Sequence, residues 1–292
     1  MTTPPVSRNP FRWRRLLIGG AVIWGLMLAA FAMTGNSAML PTIALVGAGL
    51  VPFAIVLRCG DRLAGTGLIL DDLLYVFLYG GAVGILIGGF MDAEAGRYIG
   101  RRTLLLSAGL IEEAAKAIAL LFVARRLPTR SMRAGMYLGA AAGAGFATLE
   151  TTFYALNGML TPARAGFDID AGTALTRLVV TEVLRSALAP FLHITWTAIL
   201  GGVIFSAARD TTFRVTPAVV GTYLMVAALH GLWDGGIPGL ARAVARSSGD
   251  GTTALPVLVI TLGGWALVIA IGLLVLRAAT SRARRQEITQ SI

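Results

Sequence analysis

The stretch LIEEAAK, from Leu110 to Lys116, lies inside an apolar run that extends from Thr103 to Val123. Each charge at the centre of a bilayer costs about 2.5–3.5 kcal/mol on insertion scales, so such residues usually face the interior of a helix bundle or water. Glu112 and Lys116 lie one helical turn apart, and Glu113 is also within reach of Lys116. The spacing predicts that Lys116 neutralises one carboxylate and leaves the other available for chemistry.

The composition around this stretch is that of a membrane protein. The 292 residues are 56% hydrophobic and 14% charged, whereas soluble domains are about 45–50% apolar and about 25% charged. The net charge of +10 does not indicate a nucleic-acid partner, because the arginines cluster at the ends of apolar runs, as membrane topology requires. The single cysteine, Cys59, excludes an intramolecular disulfide and a Cys-based zinc site.

Eight apolar runs have about the 20 residues that a spanning helix requires. They predict an all-α polytopic membrane protein with about eight transmembrane helices in one bundle. The runs lie at about 16–34, 38–58, 68–90, 103–124, 133–156, 188–208, 215–236 and 254–277.

Arginine clusters predict the orientation of the bundle in a bacterial-type inner membrane. With the N-terminus inside, the clusters within 8–15, 125–133 and 277–285 are cytoplasmic, and the outer segments hold about half as many arginines as the inner ones. Both termini are therefore expected in the cytoplasm. The predicted parts are a cytoplasmic lead-in (1–15), a transmembrane domain (16–277) and a basic cytoplasmic tail (278–292).

The segment after the predicted outer loop, Asn157–Gly172, has two interpretations. Residues 173–187 carry Arg177, Glu182 and Arg185 at helical spacing. The segment could lie along the membrane interface or extend the sixth helix outward. The sequence leaves both arrangements open.

The strongly polar residues of the predicted spans share one depth. The four spans that carry them alternate in direction, and counting residues from the span ends at 1.5 Å per residue places every one of them in the outer half of the bilayer. Unrelated polar residues would not share a depth, so the pattern predicts one site. Its members are Glu112 and Glu113 in the fourth run, Glu150 in the fifth, His193 in the sixth, and His230 and Asp234 in the seventh.

Carboxylates and imidazoles together are general acid–base groups. Asp234 lies one turn after His230 and could orient the imidazole ring, while the two histidines could also donate hydrogen bonds to an oxyanion. Alternatively, His193 and His230 with Glu113 and Glu150 could bind one divalent metal ion such as zinc, which would activate water. The residues alone do not choose between these chemistries.

Four motifs in order resemble those of the PrsW-type intramembrane proteases, which are related to the CAAX-processing and bacteriocin-immunity protease superfamily. Glu112–Lys116 (EEAAK) is similar to the first motif and Phe146–Glu150 (FATLE) to the second. His193–Thr197 (HITWT) resembles the third and His230–Asp234 (HGLWD) the fourth. The resemblance covers about residues 65–240, the expected catalytic core.

The resemblance implies hydrolysis of peptide bonds in or near the membrane by glutamate-activated water. Glu113 is then the expected base and Glu112 its partner, with the order of the pair open. Lys116 is the neutralising neighbour, and Phe146 and Trp196 are supporting residues. The implied substrate is a membrane-anchored protein or peptide, and PrsW relatives are linked to anti-sigma factors. The need for a metal stays open.

Two other functions remain alternatives at this point. A transporter would also place ionisable residues within its spans, but transporters usually show repeated halves and broken helices near the midplane, and no convincing repeat is present. A relative without catalytic activity would bind a membrane protein as a scaffold. Glu150 stands where CAAX-type relatives have histidine, and Asp234 stands where they often have asparagine, which weakens direct transfer of their mechanism.

Labelling of the 157–172 segment tests the predicted orientation. A single cysteine placed in this segment in a Cys59→Ser background should react with a membrane-impermeant maleimide added to intact cells, because the arginine asymmetry places the segment outside. A cysteine at position 128 is the matched cytoplasmic control. Labelling only after the cells are opened would reverse the orientation.

Overall fold

The computed structural model of the chain describes residues 12–125, 127, 130–164, 171–209, 212–247 and 254–290. Nearly all of these residues are helical, and within these ranges no strand forms beyond an isolated bridge between Arg209 and Thr212. The predicted all-α class is confirmed. The first helix begins at Arg12, within the lead-in predicted at 1–15. The last helix continues to Gln290, through most of the tail predicted at 278–292.

Eleven α-helices occur in the described residues, and several run into one another through short turns of different pitch. They are α1 (Arg12–Thr34), α2 (Leu40–Gly60), α3 (Leu70–Tyr75), α4 (Gly81–Tyr98), α5 (Arg101–Ala124), α6 (Met132–Arg164), α7 (Ala171–Leu188), α8 (His193–Ser206), α9 (Pro217–Gly231), α10 (Ile237–Ser247) and α11 (Ala254–Gln290).

Five helical stretches of the described chain are long and apolar enough to cross a membrane. Helices α5, α6 and α9, which carry Glu112, Glu113, Glu150 and His230 of the predicted site, lie outside this set, whereas His193 lies within one of the five stretches. A helical membrane protein is therefore confirmed, while the count of eight spans and the sides of the termini remain predictions. The five stretches are Arg12–Thr34, Ser37–Gly60, Leu70–Tyr98, Gly172–Ser206 and Ala254–Gln286.

Helix α6 is the centre of the bundle and packs against α2, α4, α7 and α8. Glycines allow its close approach to α8: a methyl group at Gly139 would lie 2.9 Å from the carbonyl carbon of Thr197, and one at Gly143 would lie 3.0 Å from that of His193. Small residues let helix backbones approach closely in membranes. This contact places His193 directly against α6.

Helix α7 belongs to the bundle. It packs against α2 and α6, and a short 3₁₀ turn, Ala189–Phe191, links it to α8. Residues 173–187 therefore form a helix that packs on the bundle and leads directly into α8, and its position relative to the membrane stays a prediction. The predicted outer loop is shorter than expected, because α6 continues to Arg164; residues 165–170 lie outside the described part of the chain.

A π-helical turn, Leu232–Gly236, continues α9 and contains Asp234. Such wide turns often occur at functional sites. Gly235 of this turn lies so close to α5 that an added methyl group would be 2.8 Å from the carbonyl carbon of Leu105. The end of α9 and its acidic residue are thus held against the helix that carries Glu112 and Glu113.

Candidate active site

Side chains from four helices and one turn meet in the interior of the bundle. Glu112, Glu113 and Lys116 come from α5, Glu150 from α6, His193 from the start of α8 and His230 from the end of α9. Each of these six residues is buried, with no more than 7% of its surface exposed. Asp234 completes the group at its margin, where 21% of its side chain is exposed. The structure thus brings together every residue predicted for the site.

Lys116 has polar partners on two helices. Its Nζ donates a hydrogen bond of 2.7 Å to Glu113 Oε1 and lies 3.6 Å from Glu112 Oε2. The same Nζ lies 2.9 Å from His193 Nδ1 and 4.1 Å from the centre of the Phe146 ring, in a cation–π contact. An ammonium group in an apolar interior needs such compensation. The predicted ion pair between Lys116 and one carboxylate is formed, and the partner is Glu113.

His230 lies between three carboxylates. Its Nδ1 is 2.9 Å from Glu113 Oε1, and its Nε2 is 3.0 Å from Asp234 Oδ2 and 3.7 Å from Glu112 Oε2. The predicted contact with Asp234 one turn away is therefore present. The Glu113 contact at Nδ1 and the approach of Asp234 to Nε2 hold the plane of the imidazole.

A second group is built around Glu150. Its Oε2 is 3.0 Å from His193 Nε2 and 2.6 Å from an Nη atom of Arg185. Arg185 also donates from Nε to the Thr151 hydroxyl at 3.4 Å, and its guanidinium lies 4.1 Å from the centre of the Tyr154 ring. Glu150 therefore carries its own cation, as Glu113 carries Lys116.

Arg185 and Asp92 reach the site although sequence reasoning did not assign them to it. In the sequence, Arg185 belongs to segment 173–187, for which two arrangements were open. The signal that could have assigned Arg185 to the site was its position four residues before a buried apolar stretch. Asp92, in α4, interacts electrostatically with His230 and Lys116. It lies one turn after Gly88, which packs against Glu112. An acidic residue inside a long apolar helix was the signal for Asp92.

Aromatic rings enclose the two imidazoles. The centres of the His193 and His230 rings are 5.0 Å apart. Trp196 lies 5.8 Å from His193 and 5.1 Å from His230, and Phe146 lies 5.6 Å from His193. Trp196 and Phe146 are almost fully buried, which agrees with the supporting role expected for them.

Glu112, His193 and His230 could together hold a metal ion. Each offers one ligand atom, and these atoms lie within 4.8 Å of one another. Glu112 Oε2 is buried and has no hydrogen-bond partner among the described residues, so a carboxylate oxygen is available. Two imidazoles and a carboxylate are a donor set that suits catalytic zinc. The residues fit a divalent ion, although Lys116 is the present neighbour of His193 Nδ1.

This grouping differs in part from the four metal candidates proposed from the sequence. His193 and His230 belong to it, and Glu112 completes it. Glu113 and Glu150 lie beside it, and each has a cation within 2.7 Å. A carboxylate that already neutralises a buried cation binds a metal ion less favourably than one without a close cation.

A family model described as PrsW family intramembrane metalloprotease matches residues 70–265. The matched range begins with α3 and ends within α11, so it contains the whole cluster. No curated protein and no solved structure matches the chain. The family predicted from the four motifs is confirmed.

Removal of Lys116 should destabilise the protein strongly. Lys116→Met leaves the fully buried Glu113 carboxylate without its cation, which costs about 3–5 kcal/mol when a buried pair is broken. The double variant Glu113→Gln/Lys116→Met should recover part of this loss, because the fully buried position 113 then carries no unpaired charge. Thermal unfolding in detergent measures both effects.

Arg97→Met is the matched control for this measurement. Arg97 pairs with Glu94 at 3.3 Å on the surface, where its side chain is 69% exposed, and exposed pairs contribute at most about 1 kcal/mol. Equal losses of stability in Lys116→Met and Arg97→Met would contradict the compensation assigned to Lys116.

Proposed function

The chain belongs to the PrsW family of intramembrane metalloproteases, and we propose that it hydrolyses peptide bonds of membrane-anchored proteins at the buried cluster around Glu113. The observation that carries the proposal is the convergence of acids and imidazoles from α5, α6, α8 and α9 within hydrogen-bond distance. Charged groups are expensive inside a membrane and usually mark function there.

Glu113 is the proposed general base. Lys116 and His230 both bind its Oε1, whereas its Oε2 is buried and has no hydrogen-bond partner among the described residues. Oε2 can therefore take a proton from the attacking water as the water oxygen bonds to the scissile carbonyl carbon. When the C–N bond breaks, the same carboxyl group returns the proton to the leaving nitrogen.

Glu112, His193 and His230 are the proposed holders of a divalent ion, and zinc is proposed because of their donor chemistry. A bound ion would polarise the scissile carbonyl and make the water easier to deprotonate. Glu113 supports this arrangement from His230 Nδ1, the kind of carboxylate contact that orients a ligating imidazole. Asp234 lies at the exposed margin of the cluster, at His230 Nε2.

Glu150 and Arg185 are proposed to position His193. Glu150 Oε2 lies 3.0 Å from His193 Nε2, and the Arg185 guanidinium, 2.6 Å away, holds the Glu150 carboxylate in place. Without the Arg185 guanidinium, Glu150 would be a buried anion with His193 as its closest partner. Its carboxylate would then compete with the other groups of the site for the His193 imidazole. Arg185 therefore acts through Glu150, at one remove from the reacting atoms.

The proposed substrate is a membrane-anchored protein that unwinds locally to expose a peptide bond. The arginine asymmetry supports a site in the outer half of an inner membrane. An anti-sigma factor is a substrate suggested by the family resemblance, and it stays an expectation. The partly exposed Asp234 side of the cluster is the proposed entry for water and substrate.

Cleavage and metal content, measured together on purified protein, separate the proposed roles of the two adjacent glutamates. Wild type should cut members of a panel of single-span peptides, and a chelator should stop cutting. Glu113→Gln should lower the rate of peptide cleavage at least 10²-fold, the range typical of a general base, while bound metal is retained. Glu112→Gln should lose both metal and cutting.

Glu94→Gln, a change in the surface pair of α4, is the control and should keep both properties. The opposite pattern, metal lost in Glu113→Gln and kept in Glu112→Gln, would exchange the roles of the two glutamates. Wild type that cuts no peptide and binds no stoichiometric metal, although folded, would count against the proteolytic assignment.

Arg185→Gln should reduce kcat at least tenfold with little change in KM, because the substitution disturbs the orientation of His193 and leaves the substrate contacts in place. Arg185→Lys should recover part of kcat, since it keeps the charge but not the planar geometry of guanidinium. Arg177→Gln, an exposed change on the same helix, is the control. An equal loss in the Gln and Lys variants, with a raised KM, would contradict a positioning role.

A further inference from the structure

A cavity of about 740 Å³ lies on the other side of α8 from the imidazole cluster. Helix α2 packs on α6 and helix α11 packs on α8, and residues from all four helices line the space between them. Its size falls within the range of small-molecule sites, about 300–1,000 Å³. The proteolytic mechanism does not use this cavity.

The lining of the cavity is apolar along most of its length. The lining residues extend from Arg133 to Ala140 of α6 and from Leu276 to Arg284 of α11, or about 10–12 Å along each helix. An elongated apolar space of this kind suits a hydrocarbon chain, since each CH₂ group that it buries favours binding. Its apolar lining includes Ile55, Met136, Ala140, Ile194, Ala198 and Leu276.

Three arginines line one end of the same cavity. Arg62 follows the end of α2, Arg133 is in the first turn of α6, and Arg284 is near the end of α11, so all three belong to the same end of the bundle. Arg133 donates a hydrogen bond of 2.9 Å to the carbonyl of Arg62, which ties two of these positions together. None of the described residues that line the cavity is acidic.

More positive charge adjoins this end. A second cavity of about 440 Å³ shares Arg133 and Ala283 with the first, and it is lined by further arginines of the α5–α6 connection and of α11. Basic pockets between membrane helices bind anionic lipid head groups, and each Lys or Arg near the surface adds to the attraction. These further arginines are Arg130, Arg282 and Arg285.

We propose that this cavity binds an anionic phospholipid, with an acyl chain between α2 and α11 and the phosphate at Arg62, Arg133 and Arg284. The charge at one end and the apolar length behind it match the two parts of such a lipid. Ile194 and Thr195, next to His193 in sequence, line the cavity, so the lipid also packs against the helix that carries a site imidazole. The proposal does not depend on the proteolytic assignment.

Binding of defined lipids to the delipidated full-length protein in detergent tests the proposal, with native mass spectrometry as the readout. Phosphatidylglycerol should bind at least tenfold more tightly than phosphatidylcholine with the same chains. The triple variant Arg62→Gln/Arg133→Gln/Arg284→Gln should lose this preference. Arg125→Gln/Arg214→Gln/Arg277→Gln removes the same charge from exposed arginines that do not line the cavity, and it should keep the preference.

Thr280→Trp separates a lipid site from a site for a free anion. Thr280 lines the cavity from α11, so the indole should block the acyl chain and weaken phosphatidylglycerol binding while the arginines remain. Unchanged binding in Thr280→Trp, full competition by inorganic phosphate, or equal binding of the two lipids by wild type would overturn the proposal. If the triple variant fails to fold, Arg284→Gln alone, an exposed position on α11, must still weaken the preference.

Discussion

The burial of one ammonium group is the constraint on which the interior of this bundle depends. Lys116 is 1% exposed, and its charge is compensated by Glu113 from its own helix, by the His193 imidazole from α8 and by the face of the Phe146 ring from α6. Each partner comes from a different part of the chain, so the three helices must keep their relative positions for the charge to be tolerated. A polar interaction thus specifies the packing of helices whose other contacts are largely apolar.

The distribution of small and apolar residues makes this interior possible. The glycines of α6 bring α8 close enough for His193 to face α5, while the most apolar stretches are left at the periphery. None of the window that makes Arg12–Thr34 a candidate span is buried inside the protein, and only 11% of that in Ala254–Gln286 is buried. Helices with charged side chains therefore occupy the centre of the bundle. The apolar helices α1 and α11 lie at its periphery, where they can face lipid.

The chemistry of the site follows from two acid–imidazole pairs that share this centre. His230 has Glu113 and Asp234 as partners, and His193 has Glu150, which in turn is held by Arg185. The two rings are 5.0 Å apart, close enough to act on one substrate group or on one ion. Glu113 and Glu150 each have a close cation, whereas Glu112 Oε2 lies 3.6 Å from Lys116 Nζ and 3.7 Å from His230 Nε2 without a hydrogen bond among the described residues.

The sequence by itself determined the helical class, the family and the common level of six polar residues, because helical periodicity and the cost of intramembrane charge act locally along the chain. The tertiary structure decided which side chains contact the residues of the site. Neither the pairing of Arg185 with Glu150 nor the position of Asp92 one turn from Gly88, which packs against Glu112, could be derived from spacing, since the rotation of α4 and α7 about their axes depends on packing against distant helices. The same holds for the grouping of Glu112, His193 and His230, whose possible ligand atoms lie within 4.8 Å of one another, because this distance depends on how α5, α8 and α9 pack.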